Sequence, residues 1–196
     1  MGIADLIRKR RTIRRFKQKP IPLSVLLDLV DAARLAPSGA NLQPLEFIVI
    51  DEPTQVQAVF AHTRWAAYLT QNRGRPAKGQ EPVAFIVLLI NRSIRPQGGE
   101  HDAGAAMQNI ILSASELGIG SCWLGSLDRV ALRDLLQITS HCEIDTAVAL
   151  GYPDEQPVVE QMNDSIKYYL DADDVLHVPK RKLDDVWHHN HYTQKI

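Results

Sequence analysis

Four residues near the start of the chain have types and spacing suited to holding a doubly charged anion. Arg10, Arg11, Thr12 and Arg14 close a short helical pattern and offer forked guanidinium donors beside a hydroxyl. A guanidinium meets phosphate oxygens two bonds at a time, so the set suits a phosphate dianion. Sheltered from water, each charge-assisted bond contributes about 1.5–3 kcal/mol. The cluster belongs to a denser run, because residues 8–19 hold eight Lys or Arg and no acid in a chain of net charge −1. Charge alone equally accommodates a solvated helix face, or a basic arm for RNA or an acidic partner.

Other chemistries lack their residues. There is no G-x-x-x-x-G-K-[ST], and Gly118-Ile-Gly120 followed by Gly125 does not match G-x-G-x-x-G, so side chains must do most of any phosphate binding. Cys122 and Cys142 show no Cys-x-x-Cys spacing, and His188, His189 and His191 do not all share a helical face, so no metal is expected. Cys122 reads as a small buried hydrophobe and Trp123 as core or interface. The cysteine usage fits a reduced, cytoplasmic protein. No apolar run reaches the roughly 18–20 residues that span a bilayer, and no signal-peptide core opens the chain. The near-neutral balance offers nucleic acid no general attraction.

The elements that must position these residues alternate. At 196 residues with 45% hydrophobic composition, a single domain over residues 1–196 is expected. Residues 3–10 place Ile3, Leu6 and Ile7 on one helical stripe. Residues 24–35 read as a buried helix with Ser24 as N-cap. The Pro, Gly and Asn of residues 36–44 break it, and a strand at 45–50 and a helix at 54–61 opened by Pro53 follow. Residues 70–82, with three basic residues among Gly and Pro, read as a mobile loop able to serve as a substrate lid. The apolar run at 83–90 predicts a strand buried on both faces. A helix is expected at 103–117, a strand at 118–124, a helix at 130–136 and a strand at 144–151. Residues 166–170 and 175–178 flank Asp171-Ala-Asp-Asp174 in a hairpin-like or extended arm, and a last helix is expected from 183 to about 190. Together these predict an α+β fold around one sheet.

Five segments in order carry a resemblance. Arg10-Arg-Thr-Ile-Arg-Arg-Phe16, Ala36-Pro-Ser-Gly-Ala-Asn-Leu-Gln-Pro44, residues 102–112, Gly118-Ile-Gly-Ser-Cys-Trp-Leu-Gly125 and Leu176-His-Val-Pro-Lys-Arg181 resemble the FMN-dependent nitroreductase family. The resemblance implies a central, mainly antiparallel sheet flanked by helices, with a C-terminal arm available to the partner subunit. It also implies a homodimer with FMN at the interface and NADH or NADPH as electron donor. In that pattern Arg10 and Thr12 match phosphate ligands, with Arg11 alongside, joined by Arg181 and its helper Lys180. Arg14 matches a basic position that reaches toward the flavin. Pro37, Ser38, Gly39 and Asn41 match a loop lying along the ring, supplied across the interface. Leu124 and Gly125 match the strand end whose backbone faces flavin N5.

On this reading no residue acts as acid, base or nucleophile, because the cofactor carries the reaction and the protein supplies orientation and electrostatics. Trp65 and Tyr68 are candidates for the substrate pocket, and Asn72 and Arg73 for the flavin's pyrimidine edge. The leading expectation is a ping-pong oxidoreductase passing electrons to an electron-poor small molecule such as a nitroarene or quinone. Relatives with the same cofactor but other reactions leave reductive dehalogenation, flavin fragmentation and heterocycle dehydrogenation open. A binding protein without catalysis is a third reading.

Overall fold

A computed structural model describes residues 2–192, the side chains of Gln71 and Asn72 excepted; the expectation for Asn72 thus lies outside the described residues. The chain runs α1 (Ile3–Lys9), β1 (Phe16–Lys17), α2 (Leu23–Arg34), β2 (Leu45–Ile50), α3 (Pro53–Ala61), α4 (Gln71–Gly74), β3 (Ala84–Asn91), α5 (Glu100–Glu116), β4 (Gly120–Leu124), α6 (Arg129–Leu135), β5 (Cys142–Pro153), β6 (Val158–Gln161), β7 (Tyr169–Leu170) and β8 (Leu176–Lys180). The main sheet is antiparallel throughout. It has the order β1-β5-β3-β2, with β4 also on β5.

β3 earns its central place by being apolar on both faces. Its side chains alternate with period two, so Phe85, Val87 and Leu89 join one core and Ala84, Ile86 and Leu88 the other. The first core is closed by Val56, Val59 and Phe60 of α3 and Leu132 of α6. The second is closed by Leu26 and Leu29 of α2 and by Met107 and Ile110 of α5. Each such aliphatic side chain, wholly removed from water, contributes about 1.5–3 kcal/mol. The small residues Ala103 and Ala106 are fully buried, consistent with the close approach of α2 to α5.

Some boundaries differ from expectation for local reasons. α2 starts at Leu23 with Pro22 as its N-cap residue and no side-chain cap, so Ser24 does not cap it. α3 is capped by Glu52, whose carboxylate accepts from Thr54 N at 3.1 Å and Gln55 N at 2.9 Å. α5 begins at Glu100, because Gly99 at φ 103° turns the chain straight into the helix. The expected helix at 183–190 is only a single 3₁₀ turn, Leu183–Asp185. Leu183, Val186 and Trp187 are 74%, 51% and 49% exposed, so their helical spacing has no surface in one chain to bury against.

The C-terminal arm pairs with itself in one chain, as β6 parallel and β7 antiparallel to β8. His177 is its pin. The imidazole lies 3.0 Å from both Glu160 Oε2 and Asp171 Oδ2 and stacks on Tyr169 at 4.9 Å.

Candidate active site

After α1 the chain runs extended across the sheet. Ile13 N donates to Ser121 O at 2.9 Å, Thr12 bridges Ser121 in parallel, and Asp154 N donates to Arg15 O at 2.9 Å. Two glycines form the floor: a Cβ on Gly120 would lie 2.8 Å from Ile13, and one on Gly151 2.8 Å from Phe16. This contact aims Arg10, Arg11, Thr12 and Arg14.

The arginines serve different cavities. Arg10 and Arg11 line one of about 420 Å³ together with Ile13, Gly120, Ser121 and Glu155. Arg11 turns back to donate to the carbonyls of Arg10 and Arg8, which completes the C-terminal turn of α1. Its donors are thus engaged within the chain. Burial, and secondarily the charge of Arg11, lowers the Arg10 guanidinium from its usual range. An anion arriving there relieves both penalties.

Arg14 lines a second cavity, of about 560 Å³, whose wall includes Trp65, Trp123, Leu124, Gly125 and Tyr168. Its guanidinium carbon sits 4.9 Å from the centre of the Tyr168 ring. Among the described residues its Nε is buried without a hydrogen-bond partner. A buried unsatisfied donor costs about 1–3 kcal/mol, more for a charged group, and so marks a place for an acceptor. Gly125 adds room, since a Cβ there would meet nothing within 4 Å. Behind it Thr146 Oγ1 donates to Leu124 O at 2.7 Å and accepts from Trp123 Nε1 at 2.6 Å, fixing the strand end. Trp123 is 45% exposed in one chain and on the cavity wall, which removes the core half of its reading. Arg64 and Arg75 also line the cavity, and no acid does among the described residues. Burial holds the Cys122 thiol up at about 11, so this wall carries no thiolate.

Residues 70–82 carry the short helix α4 and are tied to neighbouring segments by arginine contacts. Arg75 anchors them by donating to Thr63 O at 2.8 Å and Phe60 O at 2.9 Å, its guanidinium 3.9 Å from the Phe60 ring centre. Arg73 pairs with Asp174 at 2.6 Å, and Arg15 joins the same carboxylate at 2.8 Å. Arg15 is therefore a tie to the arm and not the solvated residue that its charge run suggested. Trp65 lines the Arg14 cavity, its Nε1 bonded to Thr63 Oγ1 at 2.7 Å. Tyr68 stands one residue layer out, its ring 5.0 Å from that of Tyr168.

Pro37, Ser38, Gly39 and Asn41 are held elsewhere in the chain. Gly39 N donates to the buried Asp102 Oδ1 at 3.1 Å, and Asp102 Oδ2 accepts from Arg95 at 2.8 Å. Ser38 Oγ accepts from Gln43 N at 3.0 Å, and Ala40, Asn41 and Gln43 all have φ near +50°. Such a loop is strongly specified, since left-handed backbone at three non-glycine residues persists only under constraint. It borders a cavity with Arg95, Pro96 and Gln97, apart from both arginine cavities. Lys180 and Arg181 close β8, where Arg181 donates to Asp185 O at 2.6 Å and neither residue lines those cavities. One chain thus brings Arg14, Leu124, Gly125 and Trp65 together, and leaves the 37–41 loop and the 180–181 pair apart.

Comparison with known proteins then places this arrangement. The model of the nitroreductase family matches residues 7–152. The chain belongs to the nitroreductase family. A relative from Methanothermobacter thermautotrophicus, provisionally named an NADH dehydrogenase/NAD(P)H nitroreductase, is 28% identical over 176 residues, 87% of each chain. The iodotyrosine deiodinase of Thermotoga neapolitana is 26% identical, over 84% of this chain and 96% of its own. Among solved structures, a provisionally named nitroreductase in complex with FMN from Desulfovibrio desulfuricans has a TM-score of 0.68 at 26% identity, covering 84% of this chain and 93% of its own. The α+β nitroreductase fold agrees with the antiparallel sheet found here.

Proximity in space, not in sequence, explains what the residues alone concealed. Tyr168 lies 100 residues from Tyr68, and Glu155 141 residues from Arg14, whose backbone N–H donates to the Glu155 carboxylate. No periodicity or motif marks either.

Proposed function

We propose that this nitroreductase-family chain is an NAD(P)H-dependent FMN oxidoreductase that reduces a nitroarene or quinone. The observation that carries the reading is the buried, unpartnered Arg14 Nε beside the open face of Gly125. A flat, polar-edged ring filling the 560 Å³ cavity satisfies that donor and needs the missing Cβ. When bound, FMN supplies hydride acceptance from the nicotinamide and electron transfer to the acceptor. Arg14 favours negative charge developing next to it, an effect strengthened where water is excluded. Arg10 and Thr12 hold the phosphate end, with Arg11 keeping α1 closed behind them. Leu124 and Gly125 present backbone to the ring, and Trp65 walls the acceptor side, with Tyr68 supporting Tyr168.

Because the 37–41 loop and the arginine cavities do not meet in one chain, the same reading makes the active form a homodimer. Pro37, Ser38, Gly39 and Asn41 then come from the other copy, and Lys180 and Arg181 complete the phosphate end on assembly. The similarity to a deiodinase favours one second reading, reductive dehalogenation at the same site.

Anaerobic titration of the purified protein with NADH and NADPH tests the proposal, followed by a screen of nitroarenes, quinones and halogenated tyrosines. Flavin bleaching by a nicotinamide and reoxidation by a nitroarene or quinone support it. A colourless protein that binds no added FMN overturns it, and reoxidation by halogenated tyrosines alone selects the second reading.

A further inference from the structure

At the starts of β2 and β5, flanking the end of β3 and outside both arginine cavities, three side chains of metal-ligand type converge. Their ligand atoms, a Glu46 carboxylate oxygen, a His141 ring nitrogen and Cys142 Sγ, all lie within 4.8 Å of one another. Cys142 Sγ and Glu46 Oε2 are 3.6 Å apart. A tetrahedral zinc ion at about 2.3 Å from sulfur and about 2.0 Å from oxygen separates two such ligands by roughly 3.5 Å. The pair thus already stands at the edge length of the coordination polyhedron.

The surroundings hold the three groups in place. Asn91 Nδ2 donates to Glu46 Oε1 at 2.7 Å, which leaves Oε2 turned to the sulfur. Arg133 gathers the carbonyls of Ile138, Thr139 and Cys142 at 3.2, 2.8 and 2.7 Å, and Arg92 N donates to His141 O at 2.7 Å. The turn that carries two of the ligands is therefore rigid before any ion arrives, as outer partners of metal ligands commonly ensure. Cys142 is 2% exposed while His141 and Glu46 face solvent, so an ion can enter from water and be covered on its inner side.

We propose that Glu46, His141 and Cys142 form a zinc site, with the fourth position left to water. Binding deprotonates Cys142, one proton passing to buffer for each ion bound, and leaves His141 as the neutral imidazole. The ion ties the start of β2 to the start of β5. It sits two residues beyond Pro44, whose carbonyl accepts from Asn91 N at 2.8 Å and closes the 36–44 loop. Sequence spacing hides the site because Glu46 lies 96 residues from Cys142.

Calorimetric titration of the metal-stripped protein with Zn²⁺ tests this, with Co²⁺ as a spectroscopic probe. His188, His189 and His191 are replaced by Ala in a control, since exposed histidines can bind zinc unaided. The expected result is one ion per chain in that control, with Co²⁺ ligand-field bands of tetrahedral intensity to the red of flavin absorption. His141→Ala, Cys142→Ser and Glu46→Gln should each weaken it by at least about tenfold, no less than the loss of an outer partner would. Loss of all binding in the C-terminal control, or undiminished binding in Cys142→Ser, overturns the proposal. Should Cys142→Ser fold poorly, the exposed His141→Ala decides alone: unchanged affinity there also overturns it.

Discussion

The Ile13 side chain rests on Gly120 so closely that a Cβ at position 120 would lie 2.8 Å from Ile13 Cγ1. Gly120→Ala must therefore lift the segment that carries Arg10, Thr12 and Arg14. Overpacking of this kind costs about 1–3 kcal/mol. The expected outcome is a lower melting temperature together with weaker FMN retention, measured by thermal unfolding and by the flavin-to-protein absorbance ratio. An unchanged ratio would show that the segment's position does not govern the cofactor.

Arg14 and Arg11 should part company under mutation. Arg14→Gln removes the unpartnered donor, and FMN affinity is expected to fall about ten- to a hundredfold, the equivalent of one charge-assisted bond of about 1.5–3 kcal/mol. Arg11→Ala removes donors already spent on the carbonyls of Arg8 and Arg10, so it should lower helix stability with little effect on FMN. Fluorescence titration of the two apoproteins separates the cases.

Much of this was readable beforehand, and the misses have physical reasons. β3 was legible because a strand buried on both faces must be apolar throughout, and the 36–44 loop because Pro, Gly and Asn announce a turn. Ser24 misled because Pro22 starts the helix earlier and needs no side-chain cap. Residues 183–190 misled because Leu183, Val186 and Trp187 find no surface in one chain to bury against, which the sequence of the segment does not reveal. The anchoring of residues 70–82 by Arg75, and the sharing of Asp174 by Arg15 and Arg73, depend on contacts between distant segments that no local pattern encodes.

The arm built around His177 should be pH-sensitive in a defined direction. Hydrogen bonds to Asp171 first and Glu160 second raise the imidazole above its ordinary 6.5. Its contribution is thus complete below about pH 6.5 and disappears as pH climbs through the raised value. Asp171, lowered mainly by its bond from Val175 N and then by His177, contributes above 3.8 and is lost as pH falls. Hydrogen exchange of peptides from residues 158–180 should show greatest protection between those limits. In His177→Gln the decline on the alkaline side should vanish.

Asp102→Asn tests the loop that one copy is proposed to lend the other. The change leaves Arg95 without its counter-charge, and a cost of about 1.5–3 kcal/mol is expected. Sedimentation should show the parent as a dimer, and the variant dimer should hold less FMN. A parent that stays monomeric while retaining FMN would remove the basis for a shared site.

Cys122 should be chemically silent. With its thiol pushed up to about 11 and its side chain buried, alkylation at pH 8 in the folded state is expected to leave it unmodified, while denaturant exposes it. Mass spectrometry of the two reactions reads this directly.

The carboxylate of Asp174 takes Arg15 on one oxygen and Arg73 on the other, from positions 159 and 101 residues earlier in the chain. During synthesis those two arginines emerge long before their common partner. The ionic tie between the segment leading into β1, residues 70–82 and the arm therefore forms only once residue 174 is free of the ribosome, which makes it one of the last contacts of the fold to close.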